Sequence, residues 1–238
     1  MYTYIFEGIV LPERAQLTFK KTIEFTHISS SISGRADLSI LLNKVCVWVD
    51  TQVEWDIFDL RNTVRYMVQN ELSIIGYLYG YAYDLEIVRV LNRALNIDYV
   101  FGIDIGCIVE RNSKINKEEL MKVIRDKIQD DEGVFLHRCF SDLSMAIKVP
   151  EDTGFYCYRA IESLLQHCVA KFNLLSQGKP KQWQKLRDIA KCGKETILRI
   201  KNFADPTRHG NISLITSEER RELFIDTWNI VDEYLKNI

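Results

Sequence analysis

The sequence predicts an α+β protein in which a mixed, mainly antiparallel sheet domain with one long helix precedes an all-helical bundle. Apolar and polar residues alternate, as in strands, in several short segments of the first half of the chain. One stretch after Asp56 changes to apolar steps of three and four residues, the period of a helix. Strand signals vanish beyond Asn116. These patterns predict an α+β domain over residues 1–112 and a helical bundle over residues 113–238.

The first domain is predicted to follow the order β-β-β-α-β-β. Alternating valines from Val45 to Val49 support the third strand, and a polar turn over Ser29–Arg35 precedes it. The helix follows Asp56 and buries one apolar stripe. The predicted strands are Tyr2–Phe6, Leu17–Phe25, Leu38–Val49, Tyr83–Ile87 and Tyr99–Ile105.

The second domain is predicted to contain six helices. Thr216, with Glu219 three residues later, forms a capping box that starts the last helix. Gly193 is predicted to end the fourth helix because glycine favours the position after a helix. Pro206 is predicted to stop the fifth, since proline lacks the backbone N–H that a helix needs. The helices are expected after Asn116, over 135–147, over 152–172, from Pro180, over 194–203 and from Thr216.

Composition and charge narrow the class of protein. The chain of 238 residues is 47% hydrophobic and 27% charged, as in ordinary globular proteins. Its formal net charge of -2 excludes a strongly basic nucleic-acid binder but leaves a local basic patch open. No basic segment precedes an apolar run at the N-terminus, and the longest apolar stretch, Leu72–Tyr83, is too short to span a bilayer. We therefore expect no membrane partner and a cytoplasmic location.

The common metal and cofactor motifs are missing from the sequence. None of the six cysteines forms a Cys-x-x-Cys pair, and His137–Cys139 and His167–Cys168 match no zinc spacing. Glycine-rich phosphate loops, the Gly-x-Ser-x-Gly elbow and His-Glu-x-x-His do not occur. We expect reduced thiols, no metal and no other cofactor.

The segment Asn202–Gly210 is the main candidate for chemistry. It places Arg208 beside His209 after Pro206, on a turn rather than on a helix face. Arginine binds phosphate and histidine titrates near neutral pH, so the pair supplies the two groups needed for metal-free RNA cleavage. A helix-capping turn with two polar surface residues is the alternative interpretation.

A local excess of positive charge lies just upstream of this turn. Nine lysines and arginines stand against two acids between Lys171 and Lys201, an excess of seven. Such a segment attracts phosphate, although charged runs are as often a solvated helix face. Trp183 could stack on a base, but its spacing from Leu186 favours inward packing. The predicted RNA-binding residues are Lys179, Lys181, Lys185 and Trp183.

Arg159 and Glu162 are candidates for supporting roles. They lie three residues apart on one predicted helix and share a face, where they can pair. An arginine held by a carboxylate could orient a histidine side chain or contact a phosphate oxygen. The alternative is a surface ion pair worth less than ~1 kcal/mol.

The Tyr158–Glu162 helix, the Trp183 helix, and Asn202 followed by Arg208, His209 and Gly210 together resemble the HEPN family. These are helical domains found in many prokaryotic defence and toxin ribonucleases, and the resemblance covers residues 116–238. It implies a dimer in which a histidine assists attack by the ribose 2′-hydroxyl. An arginine then stabilises the phosphate, no metal takes part, and a cyclic phosphate end remains.

The chain departs from this family in one respect. Active members have four to six residues between the arginine and the histidine, but Ala204, Phe203 and Asn202 occupy those positions here. Arg208 and Arg199 are the candidates to replace the missing arginine. Two functions stay open: an RNA-directed effector acting as a metal-independent endoribonuclease in a defence or toxin system, and a noncatalytic RNA-binding or regulatory module. The expected partners are RNA, a second copy of the chain and a regulatory protein.

In the first hypothesis, His209 is the acid and base, and Arg208 or Arg199 holds the phosphate. Arg159, Glu162 and Asn202 support them.

Overall fold

A computed structural model of the chain describes residues 1–27, 31–211 and 215–238. It contains two compact units, Met1–Ile103 and Asp104–Ile238. The first holds an antiparallel sheet with one long helix and the second is helical, which confirms the predicted α+β class. The structure divides after Ile103, whereas the sequence pattern placed the boundary after residue 112, so residues 104–112 fall in the helical unit.

The first unit is a six-stranded sheet in the order β2-β3-β4-β1-β5-β6, with every neighbouring pair antiparallel. Helix α1 buries Leu60, Val64, Val68 and Leu72 in a core shared with strand residues such as Phe6. The elements are β1 (Tyr2–Leu11), β2 (Phe19–Thr26), β3 (Ser33–Leu41), β4 (Lys44–Thr51), α1 (Ile57–Tyr79), β5 (Asp84–Asn92) and β6 (Ile97–Val100).

The single strand predicted over Leu38–Val49 is wrong, because two strands occupy this region. Leu42 and Asn43 form a tight turn between β3 and β4, with φ angles of 46° and 67°. Two left-handed residues are the signature of a two-residue hairpin loop, and asparagine tolerates that conformation. In the predicted turn over Ser29–Arg35, residues 29 and 30 lie outside the described residues, and the segment from Ser33 already belongs to β3.

The second unit is built around α5, which packs against α4, α6, α7 and α8. Gly154 on α5 allows a close approach to Phe203, since an added Cβ would lie 2.8 Å from the Phe203 Cβ. The helices are α2 (Gly106–Arg111), α3 (Lys117–Lys127), α4 (Gly133–Lys148), α5 (Thr153–Lys171), α6 (Lys179–Ala190), α7 (Lys194–Arg208) and α8 (Ser217–Asn237).

The helix ends follow local chemistry, with two corrections. The capping box of Thr216 and Glu219 is confirmed at the start of α8. Gly193 does not end α6: Lys191, with a φ of 49°, ends it, and Gly193 precedes α7 as its N-cap. Pro206 does not stop α7, which continues to Arg208. Proline removes the one hydrogen bond that its own N–H would make to the carbonyl four residues earlier, and the turn after it is held by backbone hydrogen bonds from His209 to Asp205 and from Asn211 to Pro206.

None of the helices within residues 1–27, 31–211 and 215–238 combines the length and the apolar character needed to cross a membrane.

Candidate functional site

The C-terminal end of α7 presents Arg208 and His209 at the surface of the helical unit. Asn211 donates a backbone hydrogen bond to the Pro206 carbonyl (2.9 Å), and Gly210 donates one to Thr207 (3.0 Å). Gly210 adopts a φ of 76°, which closes the helix in the Schellman geometry. His209 is therefore the C-cap residue, and its ring is exposed.

Arg208 is oriented by groups on α5 and α7 without a close hydrogen bond to them. Its guanidinium nitrogens lie 3.9 Å from Glu162 Oε1 and 3.7 Å from Asp205 Oδ1. Its guanidinium carbon lies 5.6 Å from the ring centroid of Tyr158, a cation–π contact. Both nitrogen–oxygen separations exceed hydrogen-bond length. Within the described residues, the Arg208 N–H groups thus remain available to a phosphate.

Tyr158 joins the two helices that carry the predicted site residues. Its ring is buried and lies nearly parallel to that of Trp183 on α6, with centroids 6.3 Å apart and planes inclined by 15°. Burial, helped by the carboxylates of Glu162 and Asp205 and opposed by Arg208, raises the pKa of Tyr158 to about 12. The phenol is therefore neutral at physiological pH.

Tyr158 is a further residue of the site, beyond those predicted from the sequence. The available signal was its spacing, because Tyr158 and Glu162 are four residues apart and share a helix face. What that face meets, Arg208 and Trp183, depends on how α6 and α7 pack on α5.

Arg199 is not brought to the Arg208 side of α7. Nine residues separate the two arginines, or two and a half turns, so they point to opposite faces about 13 Å apart along the axis. The Arg199 guanidinium donates hydrogen bonds to Glu222 and Asp226 on α8. The hydrogen bond to Asp226 is the main cause of the raised pKa of Arg199. Arg199 therefore ties α7 to α8.

Arg159 and Glu162 point to different partners, so the ion pair expected from their spacing is replaced. Arg159 lies 3.1 Å from Asp142 Oδ1 on α4, and its guanidinium carbon lies 5.3 Å from the ring centroid of Phe155. Burial raises the pKa of Asp142, against the attraction of Arg159. Arg159 therefore neutralises a buried carboxylate, whereas Glu162 faces Arg208.

Asn202 is exposed on α7, seven residues before His209. Two helical turns separate them, so they lie on nearly the same face about 10 Å apart along the axis. Its supporting role stays a prediction.

Much of the local positive charge is neutralised by acids from outside the counted segment. Four of its nine basic residues form ion pairs with such acids: Lys171 with Asp130, Lys191 with Glu233, Arg199 with Glu222 and Asp226, and Lys201 with Asp205. The sequence count of seven therefore overstates the local field.

The start of α6 keeps its positive charge. Lys179 and Lys181 are exposed in its first turn, and no ion pair involves either within the described parts of the chain. The Lys185 Nζ atom instead lies 4.6 Å from the ring centroid of Phe172. Trp183 is half-buried and packs against the bundle core, as its spacing from Leu186 predicted.

No cluster of three or more histidine, cysteine, aspartate or glutamate side chains suited to a metal ion occurs in the portion of the chain that the structure describes.

Comparison with known proteins identifies one family. The N-terminal domain of the family described as Domain of unknown function (DUF8168) matches residues 4–101. The C-terminal domain of the same family matches residues 121–238. No curated protein and no solved structure matches the chain.

Proposed function

We propose that this chain, which belongs to the DUF8168 family, carries an RNA-directed site at the C-terminal end of α7. The description of the family names no function, so the proposal depends on the chemistry of the site and on the resemblance of the helical unit to HEPN domains. In this proposal the protein is an effector of a defence or toxin system and acts as a homodimer.

One observation carries the proposal. Arg208 lies over Tyr158 with the nearest carboxylates, Glu162 and Asp205, beyond hydrogen-bond length, and the exposed His209 is adjacent in the chain. A guanidinium with open donors matches the geometry of a phosphate, and an imidazole can accept and donate a proton. These two groups can act on a phosphodiester without a metal.

The proposed reaction is endonucleolytic cleavage. His209 accepts the proton of a ribose 2′-hydroxyl, and the 2′-oxygen forms a bond to the adjacent phosphorus. The bond from phosphorus to the 5′-oxygen breaks and that oxygen takes a proton from water, while the proton on His209 is released to solvent. Arg208 stabilises the negative charge that develops on the phosphate oxygens. The products are a 2′,3′-cyclic phosphate and a free 5′-hydroxyl.

Binding of the flanking RNA is assigned to α6. Lys179 and Lys181 are exposed on the helix whose Trp183 lies against Tyr158. Two lysines can neutralise neighbouring phosphates, and this contribution is sensitive to salt. The carboxylates of Glu162 and Asp205 disfavour further phosphates around Arg208, so the flanking phosphates are assigned to the start of α6.

A noncatalytic RNA-binding or regulatory module is the second candidate. It is favoured by the partners of Arg199, since this upstream arginine is engaged by Glu222 and Asp226. Arg208 alone then holds phosphate, directly beside the histidine and outside the spacing of active HEPN members. In this function His209 contributes little, and α6 binds RNA or an acidic regulatory protein.

The two candidates differ in their response to loss of the imidazole. The wild type and His209→Ala are incubated with total RNA and a defined single-stranded RNA in a chelator, and fragments are analysed for cyclic phosphate ends. Cleavage that is lost in His209→Ala but kept in His137→Ala supports the nuclease, because His137 is the matched exposed histidine on α4. Intact RNA with the wild type under all conditions contradicts it.

Two further variant pairs separate binding from structure. Arg208→Met should weaken RNA binding, whereas Arg199→Met should leave it unchanged because Arg199 serves α8. In the double variant Lys179→Ala/Lys181→Ala, the slope of log affinity against log salt should become shallower by about 1.4, because each phosphate contact to single-stranded RNA contributes ~0.7. An unchanged slope would remove α6 from the RNA site.

A further inference from the structure

The C-terminal end of α1 carries an exposed apolar surface, the tyrosine patch, formed by Ile74, Tyr77, Leu78, Tyr79 and Tyr81. The exposed fractions of these residues lie between 53% and 86%. Ile74, Tyr77 and Leu78 share a helix face through steps of three and four residues. The ring centroids of Tyr79 and Tyr81 are 6.1 Å apart and their planes are inclined by 26°. Exposed apolar surfaces of this kind mark interaction sites.

The patch is held in shape by the way α1 ends. Gly80 has a φ of 70°, and Tyr81 donates a backbone hydrogen bond to the Gly76 carbonyl at 3.0 Å. A Cβ at Gly76 would lie 2.4 Å from the Tyr81 carbonyl oxygen, so only glycine permits this close return of the chain. The Tyr81 and Tyr83 rings are also in edge contact, with centroids 5.8 Å apart. A preformed patch loses little conformational entropy when it binds.

Charge is absent from this part of the sequence. No Asp, Glu, Lys or Arg occurs from Leu72 to Tyr83. The preceding Glu71 is neutralised by Lys21, whose Nζ lies 2.7 Å from its carboxylate. A symmetric interface brings each residue near its own copy or near the same few neighbours, so like charges would repel across it. A patch without charges can meet itself without that cost.

We propose that the tyrosine patch is a homodimer interface, in which α1 ends of two copies pack around a two-fold axis. Tyrosine is enriched in interface cores and lysine and glutamate are depleted, as in this patch. At about 200 Å² for each aromatic side chain, the exposed parts of its three tyrosines present roughly 400 Å². Ile74 and Leu78 add to this area. For comparison, each partner buries about 800 Å² in a standard interface. The interface lies in the sheet unit and does not depend on the proposed RNA site.

The test compares matched leucines in the full-length chain. The wild type is expected to have a mass near twice 27.8 kDa in analytical ultracentrifugation. The protein concentration is about 10–100 µM, the order at which a modest interface dimerises. Leu78→Lys, and independently Tyr77→Lys, should shift the mass to that of one chain. Leu175→Lys should stay dimeric, because Leu175 is similarly exposed but lies outside the patch. Circular dichroism melting confirms that each variant is folded.

A measurement without substitutions completes the test. Light-driven oxidation by a ruthenium complex with persulfate joins tyrosines in contact, and the expected crosslinked peptides contain Tyr77, Tyr79 or Tyr81 from both copies. A wild type that is monomeric at 100 µM overturns the proposal and leaves the patch to a different macromolecule. Lysine variants that dimerise as well as the wild type, or crosslinks confined to other tyrosines, overturn it as well.

Discussion

The guanidinium of Arg208 lies over the buried ring of Tyr158, 5.6 Å from its centroid, although 50 residues separate them in the chain. Through the same ring, α7 is connected to Trp183 on α6. Tyr158 therefore sets the direction of the only predicted phosphate-binding arginine that has no hydrogen-bonded carboxylate among the described residues.

Replacing Tyr158 should alter RNA binding through Arg208. Tyr158→Phe retains the aromatic face and should keep affinity within about twofold. Tyr158→Leu removes that face and should weaken binding by about 2- to 5-fold, the equivalent of one partly exposed cation–π contact. Fluorescence anisotropy with a single-stranded RNA measures this, with thermal melting to verify the fold. Equal affinities of the Phe and Leu variants would show that the ring does not orient Arg208.

The stability of the helical unit should depend on pH through His167. His167 and Tyr234 are fully buried, with Nδ1 2.7 Å from the tyrosine hydroxyl. Within the described residues, Nε2 has no hydrogen-bond partner. Burial lowers the pKa of His167; Lys171 and Lys127 lower it further, and Asp130 and Glu132 oppose them. The folded state therefore holds a neutral imidazole.

The sign of the effect follows from this shift. Because the pKa is lower in the folded state, the unfolded state takes up the proton first as the pH falls below about 6.5. The free energy of unfolding should decrease by up to about 1.4 kcal/mol per pH unit until the folded pKa is reached. Urea unfolding between pH 5 and 8 measures the slope. His167→Gln should flatten it, and the exposed His137→Gln should not; identical slopes in both variants would exclude His167 as the cause.

A methyl group at Gly154 should destabilise the helical unit. Its Cβ would lie 2.8 Å from the Phe203 Cβ and 2.9 Å from the Phe203 backbone, so α5 and α7 would have to separate. We expect a loss of about 1–3 kcal/mol from overpacking, more than the gain of up to about 1 kcal/mol in helix propensity.

Gly106→Ala on α2 is the matched control, because no atom lies within 4 Å of the added Cβ. It should be neutral or slightly stabilising in the same urea titration. Equal effects of the two substitutions would mean that the contact between α5 and α7 is looser than the structure shows.

The features that were correctly predicted from the sequence depend on neighbours within a few residues. The apolar stripe of α1 and the capping box of Thr216 and Glu219 involve steps of three and four residues, which one helix turn brings together. The errors are also instructive. Pro206 was expected to stop α7, yet it removes only its own N–H bond, and backbone hydrogen bonds to the Asp205 and Pro206 carbonyls continue the helix to Arg208. The Leu42–Asn43 turn was missed because valine alternation continues directly after it.

By itself, the sequence determined the α+β class, the order of sheet and bundle, and the pairing of an arginine with a histidine at residues 208 and 209. Only the tertiary structure decided which charges are available. Arg199 is taken up by acids 23 and 27 residues away, whereas Arg208 meets Tyr158 and Glu162 without a hydrogen bond. The reason is physical: helix periodicity sets the face on which a side chain lies, but its partners come from other helices, whose packing no local spacing encodes.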